Sequence, residues 1–562
     1  MALHSSLNRA SFRCLASTIL LLVTALLWGA PTGASAQDDG RIAPLLEGMG
    51  DHHHPITTDD SMAQRYFDQG LTLAWAFNHA EAARSFREAA RRDPNCAMCY
   101  WGEALVLGPN INAGMPDENV PKAYAALQKA QKYASNATAR EQAYIEALSE
   151  RYAKNPPDDR SSLDQAYAEA MGRVAEQYPD DPDAQVLYGE ALMDTTPWDY
   201  WKENGDPKPV TETILATFES VMEDHPNHPG ANHLYIHTVE AEHPEWGVKS
   251  AERLEDLVPG AGHLMHMPSH IYIRVGRYHE GSLANERAIE ADQEYVAQCH
   301  AQGLYPVAYI PHNYHFLWAT ATLEGRSQRA IEAARSMAAK IDTSQMREPG
   351  LGTLQHYWIT PLYAQVRFGK WDAILDRKKP ADDLIYPMAV WHYARAMAFI
   401  ATDRLDRAER ELGRLRERLD HPELKEVTVW DINTTAHIMK IAARVVAGEL
   451  AAARDSYPKA IQRLKEGVRL EDDLNYDEPP TWHHPVRQTL GAILLEADRP
   501  ADAEQVYRED LERFPKNGWS LYGLMESLRA QGETQRATEV EQRFQEAWQY
   551  ADVSLTSSRI LD

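Results

Sequence analysis

The chain has 562 residues, with 57 Lys and Arg against 83 Asp and Glu, a formal charge of −26. Charge of that sign repels phosphate backbones, which argues against a nucleic-acid-binding protein and favours solubility. With 44% apolar residues and 32 Pro and 30 Gly spread thinly, the chain reads as globular rather than as a disordered stalk.

At the N-terminus, Arg9 and Arg13 precede a 14-residue apolar run, Leu15 to Trp28, and a small-residue site, Ala34-Ser35-Ala36. This is the pattern of a cleaved secretory signal over residues 1–36, with Gln37 as the new N-terminus. The other reading is a retained N-terminal anchor. The run is too short for a membrane span, and no later segment approaches the roughly 18 to 20 apolar residues that one needs. Cleavage takes two Arg and no acid from the 57 and 83, leaving a formal −28. The expected location is exported, periplasmic or extracellular.

Residues 37–61 form a lead-in segment, and "GDHHHPITTDD" within it places His52, His53 and His54 ahead of the first helix. These three are read as a polar terminus, the alternative being a lid that adds a ligand. From residue 62 to about 550, helical periodicity with turns recurs almost throughout and strand signals are scarce, so the fold class is all-α. Residues 551–562 are a tail.

Cys96, Cys99 and Cys299 remain after cleavage, too few for a disulfide scaffold, so stability depends on a large core. Cys96-x-x-Cys99 sits at a predicted helix start. It is read as a local disulfide or two buried small residues, with a reactive thiol or metal ligand as the alternative.

A turn-plus-helix pattern repeats: Phe77-x-His79-x-x-Ala82, Gly276-x-Tyr278-x-x-Gly281, Gly325-x-Ser327-x-x-Ala330 and Gly369-x-Trp371-x-x-Ile374. Asp403-x-Leu405-x-x-Ala408, Gly448-x-Leu450-x-x-Ala453 and Asp498-x-Pro500-x-x-Ala503 continue it. Small residues are needed because the two helices of each unit cross closely. Residues 130–230 are the hardest part to phase. Aromatic groups in "PWDYW", with Trp198, and in "CYWGEALVLGPNIN" suit either an interhelical core or a ligand wall.

In residues 63–94, Tyr66, Gly70, Ala82, Phe86, Ala89 and Pro94 stand at the signature positions of a tetratricopeptide repeat, and Leu490-Gly491 and Trp519 with Gly523 match its first helix. The chain resembles a tetratricopeptide-repeat protein over roughly residues 62–550. "FNHAEAARSFREAARRDPNCAMCYWGEALVLGPNIN" and "GAGHLMHMPSHIYIRVGRY" are similar to stretches of exported bacterial members of undefined role. The resemblance implies a right-handed α-solenoid whose concave face is lined by positions 2, 5, 6, 9, 12 and 13 of the first helices. It brings no known catalytic residue.

Phased on Gly276, the first helix of its unit starts at Gly262 and puts His263, His266 and His270 at positions 2, 5 and 9. The same counting from Gly325 starts a helix at Pro311 and puts His312 and His315 at positions 2 and 5. From Gly369 it starts one at Gln355, with His356 at position 2. On the helix that starts at Pro229, His233, His237 and Glu240 follow an i, i+4, i+7 spacing. Spacings of three, four and seven residues share one helical face. Packed helices lie about 8–10 Å apart, so imidazoles from neighbouring units could meet around one ion at the ~2.0–2.1 Å of a Zn–N bond. Pro268 interrupts this picture: either the helix bends between His266 and His270, or it starts at Pro268 and leaves His263 and His266 in a loop.

The expected ligands of a transition-metal ion (Cu, Zn or Fe) are therefore His233, His237, Glu240, His263, His266, His270, His312 and His315. His356, Tyr272 and Trp198 are the candidate substrate contacts. Such a site could support oxidase or hydrolase chemistry on a small molecule or peptide. The alternative is a metal-free scaffold that binds a peptide or partner protein. No Gly-rich phosphate loop, H-E-x-x-H or G-x-S-x-G is present, which sets aside nucleotide enzymes and standard zinc proteases.

Overall fold

The computed structural model describes residues 40–299 and 303–561. The signal segment, 1–36, lies outside the described residues. These residues are helical from Ser61–Trp75 to Thr534–Ala547, and the strands among them are confined to the two-residue pair Thr428–Val429 and Asn433–Thr434. The chain divides into two compact units. The first takes in residues up to Glu47 and Asp51–Ala231, the second Gly48–Gly50 and Asn232–Asp562.

The first unit shows why the repeat pattern folds as it does. Asp60 caps helix Ser61–Trp75 by accepting from the backbone N–H groups of Met62 and Ala63. Phe77 takes a left-handed turn conformation, φ 52°, and starts helix His79–Arg92. On that helix Phe86 is fully buried, with Gly70 on the preceding helix and Gly102 on the following one both facing its ring. A Cβ at either glycine would collide with Phe86, so the two glycines set how closely three helices can stack. The same device recurs in the second unit, where Gly491 and Gly523 face the two sides of Tyr507. Residues 130–230, unphased from sequence, are ordinary helices: Ala139–Ser149 with a Thr138/Glu141 capping box, Ser161–Gln177, Pro182–Asp194 and Pro209–Asp224. Cys96 and Cys99 form a disulfide at the start of helix Ala97–Val106.

The predicted turns at Gly276, Gly325, Gly369, Asp403 and Asp498 all have positive φ. Gly448 does not. It lies inside helix Thr435–Ala452, where a Cβ would meet Leu464 at 2.6 Å, and the turn comes at Asp455, φ 58°. Gly448 is a packing glycine, not a turn glycine. The helix expected to start at Gln355 starts at Gly352 and continues to Arg367. The starts at Pro229 and Gly262 match, and Ile310–Leu323 carries Pro311 in its first turn.

Candidate metal centre

Pro268 breaks the helix without undoing it. Gly262–His266 is a short helix carrying His263 and His266, and Pro268–Val275 continues from it with His270 in its first turn. Met267 between them keeps helical angles, φ −51° and ψ −36°, so the three histidines stay on a bent but continuous path. Gly262 is required at the start because a Cβ there would collide with the Asp292 carboxylate. Helix Pro229–Val239 supplies His233 and His237 one turn apart, with Glu240 just beyond it, and helix Ile310–Leu323 supplies His312.

All six of these imidazoles and Glu240 are buried. The Nε2 atoms of His266 and His270 are 3.0 Å apart, and those of His233 and His263 are 3.2 Å apart. The ring of His312 is 4.9 Å from that of His266 and 5.7 Å from that of His270. The ring of His237 is 4.8 Å from that of His233 and 5.5 Å from that of His270. Ligand atoms of His233, His237 and His263 lie within 4.8 Å of one another, as do those of His266, His270 and His312, and those of His237, Glu240 and His270.

Where the protons sit decides what this arrangement can do. The Asn285 amide donates from Nδ2 to the Gly281 carbonyl, which leaves its Oδ1 as an acceptor 2.7 Å from His266 Nδ1. The Ser269 hydroxyl donates to the His266 carbonyl, so its oxygen, 3.2 Å from the same nitrogen, also accepts. His266 therefore carries its proton on Nδ1 and a lone pair on Nε2. His270 Nδ1 lies 2.9 Å from Glu240 Oε2, an ion-pair distance. The His266 lone pair then faces His270 Nε2 across 3.0 Å, with a third ring, His312, beside them. Nitrogens bound to one tetrahedral ion at 2.05 Å are roughly 3.3 Å apart.

Burial keeps three of these rings neutral. Burial, then the neighbouring imidazoles, hold His263, His266 and His312 well below the usual histidine range. Burial would push the Glu240 carboxyl up, but His270 and His237 outweigh it and bring it down to about 2. Phe316 closes one side at 4.4 Å from the His270 ring, and Trp430 stands 5.7 Å from His312.

Not every expected residue joins this cluster. His315 turns away and packs with Trp318, Tyr357 and His356, its ring 5.3 Å from that of His356. His356 is bonded at Nδ1 to the Tyr386 hydroxyl, so this pair belongs to an aromatic core. Tyr272, expected as a substrate contact, is fully buried, donates its hydroxyl to Glu255 and lies under the Arg277 guanidinium. Trp198 stands 43% exposed in a turn of the first unit, near Tyr200. Asn285 and Ser269, which orient His266, were missed. Buried Asn in mid-helix was the available signal, since an amide there is retained only where something uses it.

The first unit holds a second histidine cluster, and the lead-in is not a polar terminus. Asp183 Oδ1 lies 3.0 Å from His52 Nε2 and 3.1 Å from His228 Nε2, and its Oδ2 lies 2.8 Å from His54 Nδ1. The Ala231 N–H donates to His228 Nδ1, so that ring's proton is on Nε2 and points at Asp183. Burial, the largest influence on the Asp183 carboxyl, would raise it, but His52, His228 and His54 hold it well below the usual carboxylate range. The lead-in is further pinned where His54 donates its backbone N–H to Asp68 and Thr57 donates to Glu141.

This geometry defines an all-α helical-repeat protein whose second unit concentrates buried imidazoles. No family model matches the chain, and no curated protein matches it. Solved structures similar to it include the human IFIT1 dimer with m7Gppp-AAAA, 13% identical, covering 87% of this chain and 91% of that one with a TM-score of 0.30. The APC/C hetero-tetramer Cut9-Hcn1 is 13% identical, with 88% and 78% covered and a TM-score of 0.31. Naa15/Naa10 bound to HypK-THB is 12% identical, with 86% and 70% covered and a TM-score of 0.22. No described helix is long and apolar enough to cross a membrane.

Proposed function

We propose that this is an exported helical-repeat metalloprotein that binds a transition-metal ion through His266, His270 and His312. The observation that supports it most is the convergence of three buried imidazoles whose ligand atoms lie within 4.8 Å of one another, with His266 Nδ1 held by Asn285 so that its Nε2 lone pair faces the cluster. A proton on His270 Nε2 could join the two rings, but a third converging imidazole is what a cation uses and a proton does not. Three neutral nitrogens suit Cu, Zn or Fe. Three protein ligands leave a coordination position open, where a bound ion would activate water or polarise a small molecule. Phe316 and Trp430 then exclude bulk water and shape the access to that position.

Protein purified without a histidine tag, analysed for metals beside a His266→Ala/His312→Ala variant, tests the reading. Bound copper, zinc or iron in the wild type that is lost in a variant with an unchanged helical spectrum is the expected result. A wild type that stays metal-free after incubation with each ion overturns it.

A further inference from the structure

Resting on that reading, we infer that the histidine cluster is a two-ion centre, with a second ion held by His233, His237 and His263 and Glu240 placed between the two.

The repeat itself builds the ligand set twice. His233 and His237 are an i, i+4 pair on one first helix, and His263 joins them from the start of the next. His266 and His270 are again an i, i+4 pair, and His312 joins them from the start of the next first helix. The two triads share no residue, and within each the ligand atoms lie within 4.8 Å of one another. Each contains one close Nε2 to Nε2 approach, 3.2 Å in the first and 3.0 Å in the second, both near the spacing that one ion imposes on two imidazoles. A third instance is incomplete: His315 and His356 stand where His266 and His312 do, but the position matching His270 is Ala319. That pair makes ring contacts and no three-ligand group.

Glu240 ties the two triads together. Its Oε1 lies 3.5 Å from His237 Nδ1 and its Oε2 lies 2.9 Å from His270 Nδ1, so one carboxylate reaches a ring of each. The triads also touch where the His263 and His266 rings lie 5.8 Å apart. Two ions in these triads would be able to bind one small oxygen-donor ligand, such as hydroxide, together. The six imidazoles bring no charge, which selects borderline ions, copper or zinc, over hard ions that need several carboxylates.

The test is stoichiometric. Full-length protein dialysed against chelator is titrated with Zn(II), and separately with Cu(I) under anaerobic conditions. Two equivalents per chain are expected in the wild type and one in His233→Ala/His263→Ala. Because an alanine pair in a buried site can unfold the chain, His233→Gln/His263→Gln is run beside it, with the helical melt of each recorded. It too is expected to bind one equivalent. A single equivalent in the wild type, undiminished in the glutamine variant, overturns the two-ion centre and leaves the single-ion site standing. No binding of either ion overturns both.

Discussion

The two histidine clusters use the same side chain at the same close quarters and reach opposite ends. Around Asp183 each ring directs a nitrogen at one carboxylate, and the Ala231 amide fixes the tautomer of His228 so that its N–H must point there. At His266 the Nδ1–H is drawn outward to Asn285, and the Nε2 lone pair turns inward toward His270. What separates a structural pin from a candidate metal centre is the destination of the protons, which is set by residues that are not histidine. His52 and His54 thus hold the lead-in segment against the first repeats, whereas the second cluster is the proposed metal centre.

The comparison breaks most visibly at its carboxylate. Asp183→Ala strips three buried imidazoles of their acceptor, and removing one partner of a buried ionic network costs about 3–5 kcal/mol. Urea unfolding should show that loss, and the metal content of the variant should equal that of the wild type. Metal content falling with it would mean that the two clusters are not independent.

Chelation should act the other way. A ligand present at about 100 times its Kd stabilises the folded state by about 2.7 kcal/mol. Removing zinc should lower the melting temperature of the wild type and leave that of His266→Ala/His312→Ala unmoved, as read by calorimetry.

Asn285→Ala sharpens the proton argument. It releases the His266 tautomer without touching a ligand, and loss of such an outer partner weakens metal affinity about 10–100-fold. Competition with a chromophoric chelator measures it, and Asn285→Asp, which keeps an acceptor for Nδ1–H, should recover most of the loss.

The smallest effect expected is one of pH. Burial lowers the His52 pKa, but Asp183 outweighs it and leaves it raised above 6.5. A raised folded value means that the His52 contribution is fully present below pH 6.5 and fades as pH rises through the folded pKa. Proteolysis of the lead-in should therefore quicken on going from pH 6 to pH 8.5, and Asp183→Asn should remove that dependence.

Much of this was legible in the chain alone, because helical phase is a local property. Side chains three, four or seven residues apart share a face whatever surrounds them, so the register that grouped His233 with His237 and His263 with His266 and His270 carried over into the folded chain. Pro311 and the turn glycines likewise declare themselves by backbone preference. Gly448 shows where that kind of reading fails: a turn glycine and a packing glycine look alike until Leu464 is seen above it.

The sequence by itself determined an all-α repeat chain, the spacing of its turns and which histidines share a helix face, since these follow from steric and hydrogen-bonding rules that act over a few residues. Only the tertiary structure decided that His315 turns into an aromatic core, that Asn285 draws the His266 proton outward, and that His52 and His54 meet Asp183 across some 130 positions of chain. Those outcomes depend on which distant group fills the space beside each ring, and a buried imidazole has its chemistry chosen by that neighbour.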